Sequence, residues 1–177
     1  DMDSHGFMWV PVDSYGLLLA ENEWIHFVTL GPGMDVLKPE GRGLRDAITH
    51  ALKDASIKAQ EVDYVNAHAP STPIGDASEL QALKAVFPAP QRVKLSSTKA
   101  LTGHGLSLSS IMEAGFCSLA LQKGFLPGSA NVKEPDPEIG HLDLITESED
   151  TQAEIALSNS SGFGGANVSI LLRRFTG

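Results

Sequence analysis

A single cysteine, Cys117, stands among the 177 residues, so neither an internal disulfide nor a multi-cysteine metal site can be built from this sequence. That usage fits a reducing compartment, and a cytoplasmic location is the corresponding expectation. Basic charge is also in short supply. The 13 Lys and Arg residues against 22 Asp and Glu give a formal net charge of −9, which removes the electrostatic footprint of a nucleic-acid binder and disfavours an anionic membrane surface. No run of about 18 apolar residues exists to cross a bilayer. The opening DMDSHGFMW lacks the basic-then-apolar layout of a signal peptide. It also starts in mid-motif, and the expectation is a fragment, a processed piece or one part of a split protein.

What is present is the composition of a structured α/β protein. A hydrophobic fraction of 42%, 17 Gly, 10 Pro and only 20% charged residues suit one domain over residues 1–177 with a real core and many tight turns. Apolar stretches at residues 15–20 and 25–30 read as strands that could pair, the second stopping at Gly31-Pro32-Gly33. Leu44, Ala47, Ile48, Ala51, Leu52 and Ala55 recur at helical spacing, which predicts an amphipathic helix over 43–57. A strand over 62–67 then leads directly into the loop 68–73. A helix over 76–87 follows, its start acidic through Asp76 and Glu79 and its end marked by Pro88 and Pro90. The pattern continues with a strand at 93–97 and an almost uncharged helix at 103–123 that reads as buried on most sides. Beyond it come a Pro-rich loop at 127–138, strands at 142–145 and 154–157, a Gly-rich turn at 160–165 and a strand at 167–173. Strands alternating with helices imply a layered α/β domain with no internal linker.

Three strand-end loops collect the polar residues a site needs: His68 with Ser71 and Thr72, Lys99 with His104, and the turn 159–165. Neither histidine has the other, or a carboxylate four residues on, at metal-ligand spacing, so no metal centre is expected. Cys117 lies in the apolar run 113–121 and reads as a packed core thiol rather than a nucleophile.

The order of these pieces brings a resemblance. Residues 66–79, NAHAPSTPIGDASE, resemble NAHGTSTPxGDxxE; residues 97–104, STKALTGH, resemble STKxxTGH, with Glu113 where that pattern also has glutamate. Leu126-Pro127 to Asn131 with Pro135-Asp136-Pro137 resemble a PxxxN…PDP loop. Residues 159–167, NSSGFGGAN, resemble NSFGFGGTN, and residues 3–7, DSHGF, resemble DRDGF. Together these are the motifs of the C-terminal half of β-ketoacyl-acyl-carrier-protein synthases, the ketosynthases of fatty-acid and polyketide assembly.

The resemblance implies a thiolase-like layered α/β half-fold with a mixed central sheet, and a decarboxylative Claisen condensation. His68 and His104 would donate hydrogen bonds to a malonyl thioester carbonyl, meeting charge as it develops on the enolate oxygen. Lys99 would orient the site through Glu113, with a purely structural ion pair as the alternative. Ser71 and Thr72 would support the site. Phe163, with Gly162, Gly164 and Gly165 around it, would gate the acyl pocket, or else be an ordinary turn aromatic packed on the core. No cofactor is implied: acyl and malonyl groups would arrive on the phosphopantetheine of an acyl carrier protein.

Departures from the pattern point to an unusual branch. The nucleophilic cysteine of the family belongs to an N-terminal half, so the expected partners are the carrier protein, a complementary ketosynthase half or partner subunit, and a second copy completing a dimer. Ala69-Pro70 replaces Gly-Thr, Ser161 replaces a phenylalanine, Ser107-Leu108-Ser109-Ser110 replaces GAAG, and residues 10–16 replace a GEGAG loop. The competing reading is a non-catalytic partner subunit resembling a chain-length factor. Such partners commonly lose the first histidine, and here His68 is retained.

Overall fold

A computed structural model describes residues 16–18, 24–30 and 41–174. The motif at 3–7, the stretch 10–15 and the turn at 31–33 lie outside the described residues. Strands β1 (Gly16–Leu18) and β2 (Trp24–Leu30) pair antiparallel, as the two apolar stretches led one to expect. Helix α1 (Arg42–Asp54) buries Leu44, Ala47, Ile48, Ala51 and Leu52, the face drawn by their spacing. Strand β3 (Tyr64–Asn66) precedes helix α2 (Pro73–Val86), which begins earlier than expected. Thr72 is extended at the N-cap position, without a side-chain cap, and Pro73 brings a φ already set for the first helical position. Glu79 therefore falls in the second turn of α2 and is not a helix-start acid.

Strand β4 (Lys94–Ser96) leads to α3 (Lys99–Thr102) and then α4 (Ser109–Lys123). The helix expected over 103–123 thus begins only at Ser109. Gly103 ends α3 at φ 71° and ψ 178°, Leu106 takes φ 53°, and a 3₁₀ turn over Leu106–Leu108 delivers the chain to α4. Nor is α4 buried on most sides. It packs Ala114, Cys117 and Leu121 against the sheet, while Leu108 just before it, together with Ile111 and Leu119, is exposed among the described residues. An apolar composition gives no hint of which face lacks a neighbour.

The chain closes with β5 (Phe125–Leu126), β6 (Asp143–Leu144), β7 (Glu149–Asp150), β8 (Ile155–Gly162) and β9 (Ala166–Arg173). Strand β8 continues well past the expected residue 157 and holds register with β9 to the pair Gly162–Ala166. Only Phe163, Gly164 and Gly165 remain as the turn, the two glycines at φ 82° and 85°. The polar run Ser158 to Ser161 concealed this strand. Two of its side chains bond across the hairpin, Ser169 donating to Asn159 Oδ1 at 3.0 Å and Ser161 donating to Asn167 Oδ1 at 2.8 Å.

One sheet has the order β1-β2-β9-β8-β3-β4-β6, and β5 pairs with β7 apart from it. β3 runs parallel to β4 and β8, whereas β8, β9, β2 and β1 are joined antiparallel. The sheet is therefore mixed, as expected, and contains both β3 and β9. Alternate side chains face opposite layers: Val65, Leu157 and Leu171 pack with α1 and α2, and Tyr64, Ala156, Ile170 and Leu172 with α4. No helix among the described residues is long and apolar enough to cross a membrane.

Candidate active site

Strands β3, β4 and β8 point the same way, with Asn66 in register with both Ser96 and Ser158, so the loops at their ends are gathered at one edge of the sheet. His68 follows β3, Lys99 opens α3 after β4, and β8 ends at the Phe163 turn. His104, although distant in sequence, comes to lie edge-on to His68 with ring centroids 5.3 Å apart and planes at 87°. Both histidines line a cavity of about 960 Å³, with Pro70, Thr72, Leu106 and Phe163 among its other walls. Gly162, Gly164 and Gly165 line it as well. Phe163 is fully exposed, so the alternative of a turn aromatic packed on the core does not hold. Ser71 is exposed at φ 64° and takes no part in the cavity wall.

The histidines differ in how they are held. Burial first, then the neighbouring Lys99 and His104, keep the pKa of His68 down to about 4, so this imidazole is neutral at neutral pH. Its backbone N–H and that of Ala69 both donate to the Glu79 carboxylate, at 2.9 and 2.8 Å. Ala69 sits at φ 33°, a strained conformation for alanine, and Glu79 holds the chain there. His104 is fixed through its ring instead. Leu106 donates its N–H to Nδ1 at 3.0 Å, and Ser109 Oγ lies 3.1 Å from the same atom. An Nδ1 that accepts leaves the ring proton on Nε2.

Glu79 is buried, and burial raises its pKa while the two backbone donors oppose the rise. Glu79→Gln keeps the shape but turns one acceptor oxygen into an NH₂ group facing a backbone N–H. This substitution should cost about 1–3 kcal/mol in urea unfolding. A change below about 0.5 kcal/mol, the size of an ordinary surface substitution, would remove Glu79 as the anchor of this loop.

Behind the cavity wall Lys99 Nζ donates to Glu113, with the two side chains 5% and 2% exposed. Burial raises the Glu113 pKa and the paired lysine opposes it; the second carboxylate oxygen has no partner among the described residues. Asn66 joins the first loop to the second, donating to Thr98 Oγ1 at 3.2 Å and accepting the Thr98 N–H at 3.4 Å. Beneath them Cys117 is fully buried, and burial pushes its thiol up to about 12. That is the behaviour of a packed thiol. Its pocket is not wholly apolar, since the Asn66 and Ser158 side chains oppose the rise of the thiol. Cys117→Ser should therefore cost about 1 kcal/mol or less, because polar side chains stand beside the new hydroxyl. Thermal unfolding checks this, and a loss of several kcal/mol would contradict it. Among the described residues no cluster of three or more His, Cys, Asp or Glu side chains is placed to hold a metal ion.

Sequence reasoning thus brought the histidines, Thr72 and the Phe163 turn to one place. It missed Glu79, Asn66 and Leu106 as supports. Glu79 closes the 66–79 motif and could have been found there; nothing in the sequence marks Leu106, whose positive φ is unusual for leucine.

The family described as Beta-ketoacyl synthase, C-terminal domain, matches residues 26–133. The 3-oxoacyl-[acyl-carrier-protein] synthase 1 of Escherichia coli K12 is 34% identical over 152 residues, covering 86% of this chain and 36% of that protein. The chain therefore spans little more than a third of that relative's length. Among solved structures, a β-ketoacyl synthase from Burkholderia phymatum STM815 is similar with a TM-score of 0.80 and 33% identity over 87% of this chain and 38% of its own. A type II polyketide-synthase ketosynthase, solved in complex with its acyl-carrier protein and bound to the hexaketide, gives a TM-score of 0.77 and 30% identity over 86% of this chain and 38% of its own.

Proposed function

The chain belongs to the β-ketoacyl synthase family, and on that premise we propose that it supplies the decarboxylation side of a ketosynthase site. The observation that carries this is the pairing of His68 with His104 across one cavity, the first neutral at neutral pH and the second with its proton on Nε2. Two neutral imidazoles can each donate an N–H to one carbonyl oxygen.

The substrate is a malonyl group on the phosphopantetheine thioester of an acyl carrier protein. Its carboxylate leaves as carbon dioxide, and the electron pair of the broken C–C bond passes into the enolate. His68 and His104 hold the enolate oxygen as charge grows there, which is where preorganised donors lower a barrier. The enolate carbon then attacks an acyl thioester on a cysteine, and that thiolate is the leaving group. Cys117 is not this cysteine. The nucleophile comes from the complementary part of the ketosynthase, for which the exposed apolar residues Leu108, Ile111 and Leu119 beside the site are a fitting contact surface. Assembly as a dimer belongs to the same reading. Phe163, exposed at the tip of a glycine turn, gates the cavity, and Thr72 supports the arm that carries the substrate. No cofactor takes part.

The experiment is release of carbon dioxide from malonyl-carrier protein by the complete assembly, with and without an acyl primer on the cysteine. Release that depends on the residues of this cavity supports the reading. An assembly in which they are dispensable makes this chain a partner subunit that shapes the tunnel without doing chemistry.

A further inference from the structure

Ser109 is the first residue of α4 and is 4% exposed, in contrast to the run of exposed residues from Leu101 to Leu108 that precedes it. Its Oγ lies 3.1 Å from His104 Nδ1. The run GAAG that residues 107–110 replace has alanine at this position, so the hydroxyl is a departure of this chain from the pattern. Two donors then converge on one ring nitrogen. The first, the Leu106 N–H, is presented from a left-handed backbone at φ 53° on a segment that nothing buries among the described residues. A donor placed there is only as steady as a strained, exposed turn. Ser109 instead stands on a helix packed against the sheet through Ala114, Cys117 and Leu121. Among the described residues the ring has no other hydrogen-bond partner.

We propose that Ser109 is a positioning residue for His104: its buried hydroxyl donates to Nδ1, tying the ring to the body of the domain and keeping the proton on Nε2, the nitrogen left free to donate in the cavity. The role rests on the decarboxylation reading above. It follows from chemistry that alanine cannot supply. A hydroxyl can turn its hydrogen to the lone pair, whereas a methyl group at the same place fills space and fixes nothing.

The test uses the complete ketosynthase assembly with Ser109→Ala, Ser109→Thr and His104→Ala, read by carbon dioxide release and by ¹⁵N spectra of histidine-labelled protein. Ser109→Ala should lower decarboxylation kcat about two- to tenfold, the loss of one neutral hydrogen bond, with KM for malonyl-carrier protein unchanged. The His104 ring-nitrogen signals should move toward a mixture of tautomers. Ser109→Thr restores the hydroxyl and should recover both. Parent kcat with unmoved ring signals in Ser109→Ala would overturn the proposal. So would Ser109→Thr as slow as Ser109→Ala, since packing would then be the cause. If His104→Ala itself decarboxylates at the parent rate, the decarboxylation reading fails, and the ring-nitrogen spectra alone still decide whether Ser109 holds the tautomer.

Discussion

In the complete assembly, His68→Ala or His104→Ala should slow malonyl decarboxylation by about 10²–10³, while acyl loading of the distant cysteine stays largely intact. Each substitution removes one N–H from the place where the enolate oxygen develops its charge, and neither touches the nucleophile. The double variant should lose less than the product of the two factors, because the rings lie edge-on with centroids 5.3 Å apart and would serve one oxygen. Carbon dioxide release measures the first step. Mass spectrometry of the acyl-enzyme measures the second. If both single variants decarboxylate normally, the cavity is not a decarboxylation site and the partner-subunit reading replaces it. If both lose acyl loading as well, the histidines matter to the architecture of the whole assembly rather than to one step.

The parts of this site that were legible in the sequence are those fixed by local rules. His68 and Lys99 each follow a short strand, and strands β3 and β4 are parallel, so their loops had to emerge at the same edge. Helix α1 was legible because its buried residues recur at the helical period on one face. What escaped depends on neighbours far along the chain. The polar residues of β8 look like a turn until their hydroxyl and amide groups are seen bonding across the hairpin to β9. The late start of α4 was missed although Gly103 and Gly105 stand in the segment before it, because the uncharged stretch was read as one helix. Glu79 was read as a charge at a helix start, whereas its carboxylate reaches two backbone N–H groups of the His68 loop. The exposed face of α4 is the reverse case: composition predicted burial, and the described residues leave Ile111 and Leu119 open.

Lys99 and Glu113 pose the remaining question, because a buried ion pair is equally at home in a catalytic site and in a structural core. Lys99→Met should destabilise the protein by about 3–5 kcal/mol, since it leaves a carboxylate that is 2% exposed without its counter-charge. The loss should also depend on pH. Burial already raises the Glu113 pKa, and Lys99 is what opposes it, so removing the lysine carries that pKa further up. Below the raised pKa Glu113 is protonated and the cost is small; as pH rises through it, a charged and unpaired carboxylate must stay buried and stability falls. Urea unfolding at pH 5 and pH 8 should therefore show the larger loss at the higher pH, and equal losses would mean that packing, not charge, is responsible. The double substitution Lys99→Met with Glu113→Leu separates the two roles. Replacing both charges by apolar side chains of similar volume should return most of the stability, as buried pairs commonly allow. Decarboxylation should nonetheless remain impaired, because the loop that carries Lys99 is aligned with the His68 loop through Asn66 and Thr98, and losing the pair loosens that alignment. A double variant that recovers stability and turnover together would make the pair a structural one, leaving the two imidazoles as the chemically active part of this cavity.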